Sequence, residues 1–225
     1  MSQILENETD LEAARRLMVD GQIRPNRVAD PRILRAMRTL PRERFLPPDR
    51  AHLAYSDEDV PLPNGRALME PLVIARLVQL AAPRAGERTL VVGAGTGYGA
   101  ALLAACGARV VALEEEEALS AVARAALTAL GLPVRLVAGP LAAGWPPEAP
   151  YELVLIEGAV REIPAAIAAQ VKQEGGRLVT VLGEAGATQQ AVLAEPSLGG
   201  LRCRPMFDCA TPFIPSLLPP PTFVF

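Results

Sequence analysis

The chain has 225 residues, half of them hydrophobic and 21% charged, with a formal net charge of −3 and a mean hydropathy of +0.23. That length buries a full core in one medium domain, or in a domain with an extension; the mild negative charge excludes a global basic field for nucleic acid. Gly, Pro and charged residues interrupt the longest apolar stretches well short of the roughly 18 residues of a membrane span, which excludes a membrane partner.

Local signals at the start of the chain are acidic. Residues 1–8 lack the basic head and apolar middle of a secretory leader. Residues 11–19 and 31–40 carry apolar side chains at helical spacing, Leu11, Ala14, Leu17 and Met18 in the first and Ile33, Leu34 and Met37 in the second, which predicts two helices. Asp30 before Pro31 marks the second start, an N-cap followed by proline at the first helical position. Residues 41–65, rich in Pro, Arg and Asp, predict an irregular connector, which at this length is more often functional than decorative. The lone His52 falls within it and reads as a surface or packing residue.

Leu72, Val73, Leu77, Val78 and Leu80 predict a helix over 70–81, stopped by Pro83 and Gly86. The run Leu90-Val91-Val92 predicts a buried strand. A glycine turn and a helix beginning near Gly97 follow, and the second apolar run, Val110-Val111-Ala112-Leu113, ends in Glu114. Further on come a helix over 116–130 ended by Gly131, strands over 134–137 and 153–156, a helix over 162–171, a Gly175-Gly176 turn and a strand over 177–182. Strands alternating with helices of this length predict an α/β fold with a doubly wound, mostly parallel Rossmann-like sheet. Residues 189–194 and 201–207 are expected to pair antiparallel at one edge, before a proline-rich tail over 212–225. The expected division is an N-terminal helical and connector region, 1–82, packing on a core, 83–225.

The turn between the first two strands carries the chemistry. Glycines let backbone approach a ligand, and a carboxylate closing the next strand accepts hydrogen bonds from a ribose diol. Gly95-Thr96-Gly97-Tyr98-Gly99-Ala100 fits the dinucleotide fingerprint, and Gly93-x-Gly95-x-Gly97 fits an S-adenosylmethionine loop; a lone fingerprint is weak. Val92 is the last apolar residue of the strand, so Gly93 is the first loop glycine, which favours the second fit. Glu114 lies roughly 20 residues on, a distance that suits either nucleoside ligand. Cys106, Cys203 and Cys209 have no metal-ligand spacing, so no metal site is expected; they read as reduced thiols of a cytoplasmic protein.

Motifs in the N-terminal third are more specific. Met18-Val19-Asp20-Gly21-Gln22-Ile23, Asp30-Pro31-Arg32-Ile33-Leu34-Arg35-Ala36-Met37, Leu40-Pro41-Arg42-Glu43-Arg44-Phe45-Leu46-Pro47 and Ala54-Tyr55-Ser56-Asp57 follow one another in order. With Gly144-Trp145-Pro146, Ile163-Pro164 and Gly175-Gly176-Arg177-Leu178-Val179, the chain resembles the protein-L-isoaspartate O-methyltransferases up to about Gly183. The resemblance implies S-adenosyl-L-methionine as cofactor and a damaged protein or peptide as partner. It implies methyl transfer to the carboxylate of an L-isoaspartyl or D-aspartyl residue, an in-line displacement by an already ionised group in which alignment supplies most of the rate. By the same resemblance Gly93, Ala94, Gly95, Thr96 and Gly97 line the methionine end of the cofactor and Glu114 takes the ribose hydroxyls.

Three positions depart from the family pattern. Val91 stands where the family has an acid before the loop, and Gly139-Pro140-Leu141 replaces a Gly-Asp-Gly turn that offers a carboxylate to adenine. Ala67-Leu68-Met69-Glu70-Pro71 replaces the Thr-Ile-Ser-Gln-Pro segment that closes over the substrate carboxylate, so no catalytic side chain is assigned there. Glu70 reads as the acid favoured at a helix start; Arg42, Arg44 and Arg66 are cations that either attract an anionic peptide or are simply solvated. The same substitutions motivate an alternative, a non-catalytic relative that binds a peptide or protein partner with weak or no cofactor binding. A nicotinamide-dependent oxidoreductase is disfavoured by the N-terminal motifs.

Overall fold

A computed structural model describes residues 2–184 and 186–219, with side chains from residue 10 onward. Helix α1, Ser2–Leu17, runs into a π turn, Met18–Ile23, and a short 3-10 turn, Arg24–Asn26. Helix α2, Pro31–Thr39, begins as its sequence predicts: the Asp30 carboxylate accepts from the Arg32 amide at 2.9 Å. The connector is built of 3-10 turns, Arg42–Phe45 and Pro48–Leu53, and a two-residue antiparallel pair, β1 (Val60–Pro61) with β2 (Ala67–Leu68). Helix α3, Pro71–Ala81, ends in a left-handed Ala82.

From there strands and helices alternate: β3 (Arg88–Val92), α4 (Tyr98–Ala105), β4 (Arg109–Glu114), α5 (Glu117–Ala129), β5 (Val134–Ala138), β6 (Leu153–Val160), α6 (Ala165–Ala168) and β7 (Arg177–Leu182). A hairpin, β8 (Gln189–Ser197) and β9 (Gly200–Cys209), adds two antiparallel strands at the β7 edge. The sheet order is β5-β4-β3-β6-β7-β8-β9, in which β5, β4, β3, β6 and β7 run parallel to one another. This is the α/β, mostly parallel architecture expected. The order reverses between β3 and β6, and ligands of such sheets bind in the crevice at the strand ends there. The last paired residues of those strands are Val92 and Ile156.

Alternation along each strand divides the core into two faces. Val91, Val110 and Ala112 join the side covered by α2 to α5, whereas Leu90, Val92, Val111 and Leu113 join the other. That second face is closed by turns and by the C-terminal segment, because the helix expected over 162–171 is only Ala165–Ala168. The Gln170 side chain is drawn off to bond the Ala143 carbonyl and the Trp145 amide, both at 2.7 Å, and Val171 bridges to Tyr151 in parallel fashion. Beyond Cys209, Ala159 bridges to Phe213, and Ile214 and Leu217 are buried against the second face. The tail expected over 212–225 is described to residue 219; its last six residues lie outside the described set. Among the described residues no helix is long and apolar enough to cross a membrane.

Candidate active site

The glycine loop sits at the reversal point, between the end of β3 and the start of α4. Gly93 and Gly97 take positive φ values of 69° and 92°, a region that carries little penalty only for glycine. The amides of Gly93 and Ala94 both donate to the Leu113 carbonyl, at 3.0 and 3.1 Å, which ties the loop to β4. Thr96 is buried, and its hydroxyl has no partner.

Glu114 closes β4 as predicted. Its side chain is fully buried. One oxygen accepts from the Gly95 amide at 2.6 Å; the other accepts from the amides of Glu115 and Glu116 at 3.0 and 3.1 Å and from Arg66 Nη1 at 2.9 Å. Arg66 Nη2 donates to the Gly93 carbonyl at 2.8 Å, so one guanidinium bridges the loop and the acid. Arg66 reaches them from the turn Pro63–Gly65 between β1 and β2. The tip of that turn is held by Asn64 Nδ2, which donates to Glu116 at 2.8 Å.

Two more acids and a second arginine line the crevice. Glu157, in the irregular stretch where β6 slips register against β7, accepts from the Gly99 amide at 3.2 Å; its other oxygen is sealed without a partner. Burial pushes its pKa to about 8, against the opposing pull of the Gly99 amide, Arg66 and Arg42. Glu70 caps α3 without a side-chain bond, and burial together with Asp57 and Asp59 raises it to about 7. Arg42 is wholly buried, donates to the carbonyls of Ala54 and Met69, and stacks 4.7 Å from the Tyr98 ring centroid. Burial lowers its pKa and leaves Nη1 unpartnered.

The departures from the family pattern take up ordinary structural places. Val91 is core, paired with Ala112 and Leu155. Pro140 opens a 3-10 turn whose Leu141 is buried. Met69 is buried, and its backbone carbonyl is the acceptor held by Arg42. The sequence reading placed Glu114 but missed Glu157 and the partnership of Arg66. An acid inside the apolar run Leu153-Val154-Leu155-Ile156-Glu157 was the available signal for the first; the second spans 48 residues and has no local signature.

The backbone of the cradle suits a nucleoside, and its side chains do not admit one. A Cβ built on Gly93 would meet Ile214 Cδ1 at 2.9 Å, Arg66 Nη2 at 3.2 Å and Leu141 Cδ1 at 3.6 Å. Next to the cradle, a cavity lined by Arg66, Met69, Glu157 and Ile214 holds about 10 Å³, space for one water. With Arg66 seated on Glu114 and Ile214 against Gly93, the contacts a nucleoside would use are taken by the protein's own side chains.

Comparison with known proteins places this geometry in a family. The model of Protein-L-isoaspartate(D-aspartate) O-methyltransferase matches residues 14–209. A protein-L-isoaspartate O-methyltransferase of Methylorubrum populi is 43% identical over 175 residues, 78% of this chain and 82% of that protein. Protein-L-isoaspartate O-methyltransferase 1 of Rhodopseudomonas palustris is 37% identical over 207 residues, 91% of this chain and 84% of its own. A solved structure titled protein-L-isoaspartate O-methyltransferase superposes with a TM-score of 0.74 at 24% identity, covering 91% of this chain and 65% of the other, and shares the fold. The chain belongs to the protein-L-isoaspartate (D-aspartate) O-methyltransferase family.

Proposed function

We propose that this chain transfers a methyl group from S-adenosylmethionine to the carboxylate of isoaspartyl residues in damaged proteins or peptides, and that it does so in the cytoplasm. The observation that carries the reading is the pairing at the sheet's reversal point. Within a match of nearly the whole chain, an intact glycine loop is hydrogen-bonded through Gly95 to the acid that ends the next strand. The substrate carboxylate is its own nucleophile, so the protein's task is to orient it and exclude water. Arg42, with one guanidinium nitrogen unpaired beneath Met69, supplies positive charge to an anionic substrate, and Glu157 carries its proton below about pH 8 and so adds little repulsion.

A second reading has its own observation. Arg66 and Ile214 fill the cradle, which favours a non-catalytic relative that keeps the fold to bind a peptide or protein. Methyl transfer to an isoaspartyl peptide, compared with its aspartyl twin, separates the two. Transfer to the first alone is expected; no transfer to either, with donor at millimolar concentration, leaves the second reading.

A further inference from the structure

We infer that Arg66 is an internal occupant of the nucleoside cradle, and that the turn carrying it is a lid that must swing out before the donor enters. The inference rests on the reading of the cradle as the donor site. Four observations converge on it. The guanidinium occupies the carboxylate oxygen that also receives Glu115 and Glu116, so Glu114 has no exposed surface left for a ribose diol. Its second nitrogen lies where the loop backbone should meet a ligand, on the Gly93 carbonyl. The side chain is nearly sealed, 6% exposed, against 0% for its partner. The carrying segment is short: a two-residue ladder anchored by buried Val60 and Leu68, a Leu62 to Arg66 backbone bond of 2.8 Å, a bond from Arg50 to the Pro61 carbonyl and one exposed tip contact from Asn64 to Glu116.

The physical consequence is competition. A nucleoside gains Glu114 only by expelling a cation that is already charge-matched and desolvated there, so its apparent affinity falls by the fraction of molecules with the lid out. The Arg66 side chain leaves by breaking its bonds to Glu114 and Gly93, while Ile214 still covers Gly93 from the other side. Once free, the guanidinium stands at the mouth of the crevice, where it can meet an anionic substrate after the donor is bound. Order of binding is thereby built into one side chain, donor first and carboxylate second.

Titration of the full chain with S-adenosylhomocysteine by calorimetry tests this, in the wild type and in Arg66→Gln. The variant should bind at least tenfold more tightly, because the amide can neither neutralise Glu114 nor span to Gly93. Arg66→Lys keeps a positive charge against Glu114 and guards the fold; its shorter, single-point donor should give a smaller gain of the same sign. Equal affinity in all three proteins, tight or undetectable, overturns the lid, and if Arg66→Gln does not fold, a lysine variant without gain does so. The enzyme reading fails separately, when Arg66→Gln binds the nucleoside and neither protein methylates an isoaspartyl peptide.

Discussion

Glu114 is held by three backbone amides and one guanidinium, all of them lost together when its carboxylate is removed. Breaking a buried pair on one side leaves an uncompensated charge and costs about 3–5 kcal/mol. Glu114→Ala should therefore lower the unfolding free energy in urea by that amount, whatever it does to ligand binding; a loss under about 1 kcal/mol would contradict the geometry. Glu157 makes a prediction of a different kind. Its folded pKa of about 8 stands above the ordinary carboxylate value, so the folded chain keeps a proton that the unfolded chain releases. The stability this provides is complete below the unfolded pKa and is lost as pH rises toward 8. Glu70, raised to about 7, adds to the fall over the same window. Melting curves from pH 5 to 8.5 should decline for the wild type and decline less steeply for Glu157→Gln, in which only Glu70 still contributes; parallel curves would refute the assignment. At this scale the sequence reveals residues whose role is set by neighbours in the chain, such as Glu114 at a strand end or Asp30 before Pro31. It hides those set by a partner far along it, as Arg66 is.

Elements were legible where burial on both faces makes a run uniformly apolar. Strands β3, β4 and β7 fall where their valine and leucine runs lie, and the β8 and β9 hairpin, whose alternation is less clean, pairs antiparallel at the edge as expected. Helix α6 is the informative exception, four residues in place of the ten expected. Apolar spacing over 162–171 is helical, yet Gln170 is more valuable to the fold as a clamp. It accepts from Trp145 and donates to Ala143 at 2.7 Å and to Ala166 at 2.9 Å, joining the turns after β5 to the end of α6. Long-range hydrogen bonding overrides local periodicity here. Gln170→Ala removes three part-buried hydrogen bonds to backbone groups, each worth roughly 0.5–1.5 kcal/mol net. The variant is expected to lose about 2–3 kcal/mol in chemical unfolding, with the slope against denaturant unchanged; stability within 0.5 kcal/mol of wild type, roughly the scatter of surface substitutions, would show the clamp to be idle. The β1 and β2 pair was equally hidden, because two residues per strand carry no period to read.

At the scale of the whole molecule, the end of the chain closes the crevice that the middle opens. After the hairpin the backbone returns across the sheet: the Ala159 amide donates to the Pro212 carbonyl at 3.1 Å and the Ile214 amide to the Ala159 carbonyl at 2.9 Å. Thr211 bonds Gln189 through its amide and Asp59 through its hydroxyl, linking the tail to both the hairpin and the connector. Ile214 and Leu217, 2% and 7% exposed, pack on the face that α6 is too short to cover. Burial of two such side chains is worth roughly 1.5–3 kcal/mol each, and the two backbone bonds add about 1 kcal/mol apiece. A domain of this size has about 5–15 kcal/mol in all, so this segment supplies a large share of it. A chain ending at Ala210 should melt roughly 10–20 °C lower than one ending at Pro219, since each kcal/mol moves the midpoint of a chain this long by about 2–4 °C. Removing Ile214 also uncovers Gly93, so the shortened chain should bind S-adenosylhomocysteine no more weakly at a temperature where it is folded. Midpoints within about 3 °C of each other would mean that the segment rests on the fold without supporting it.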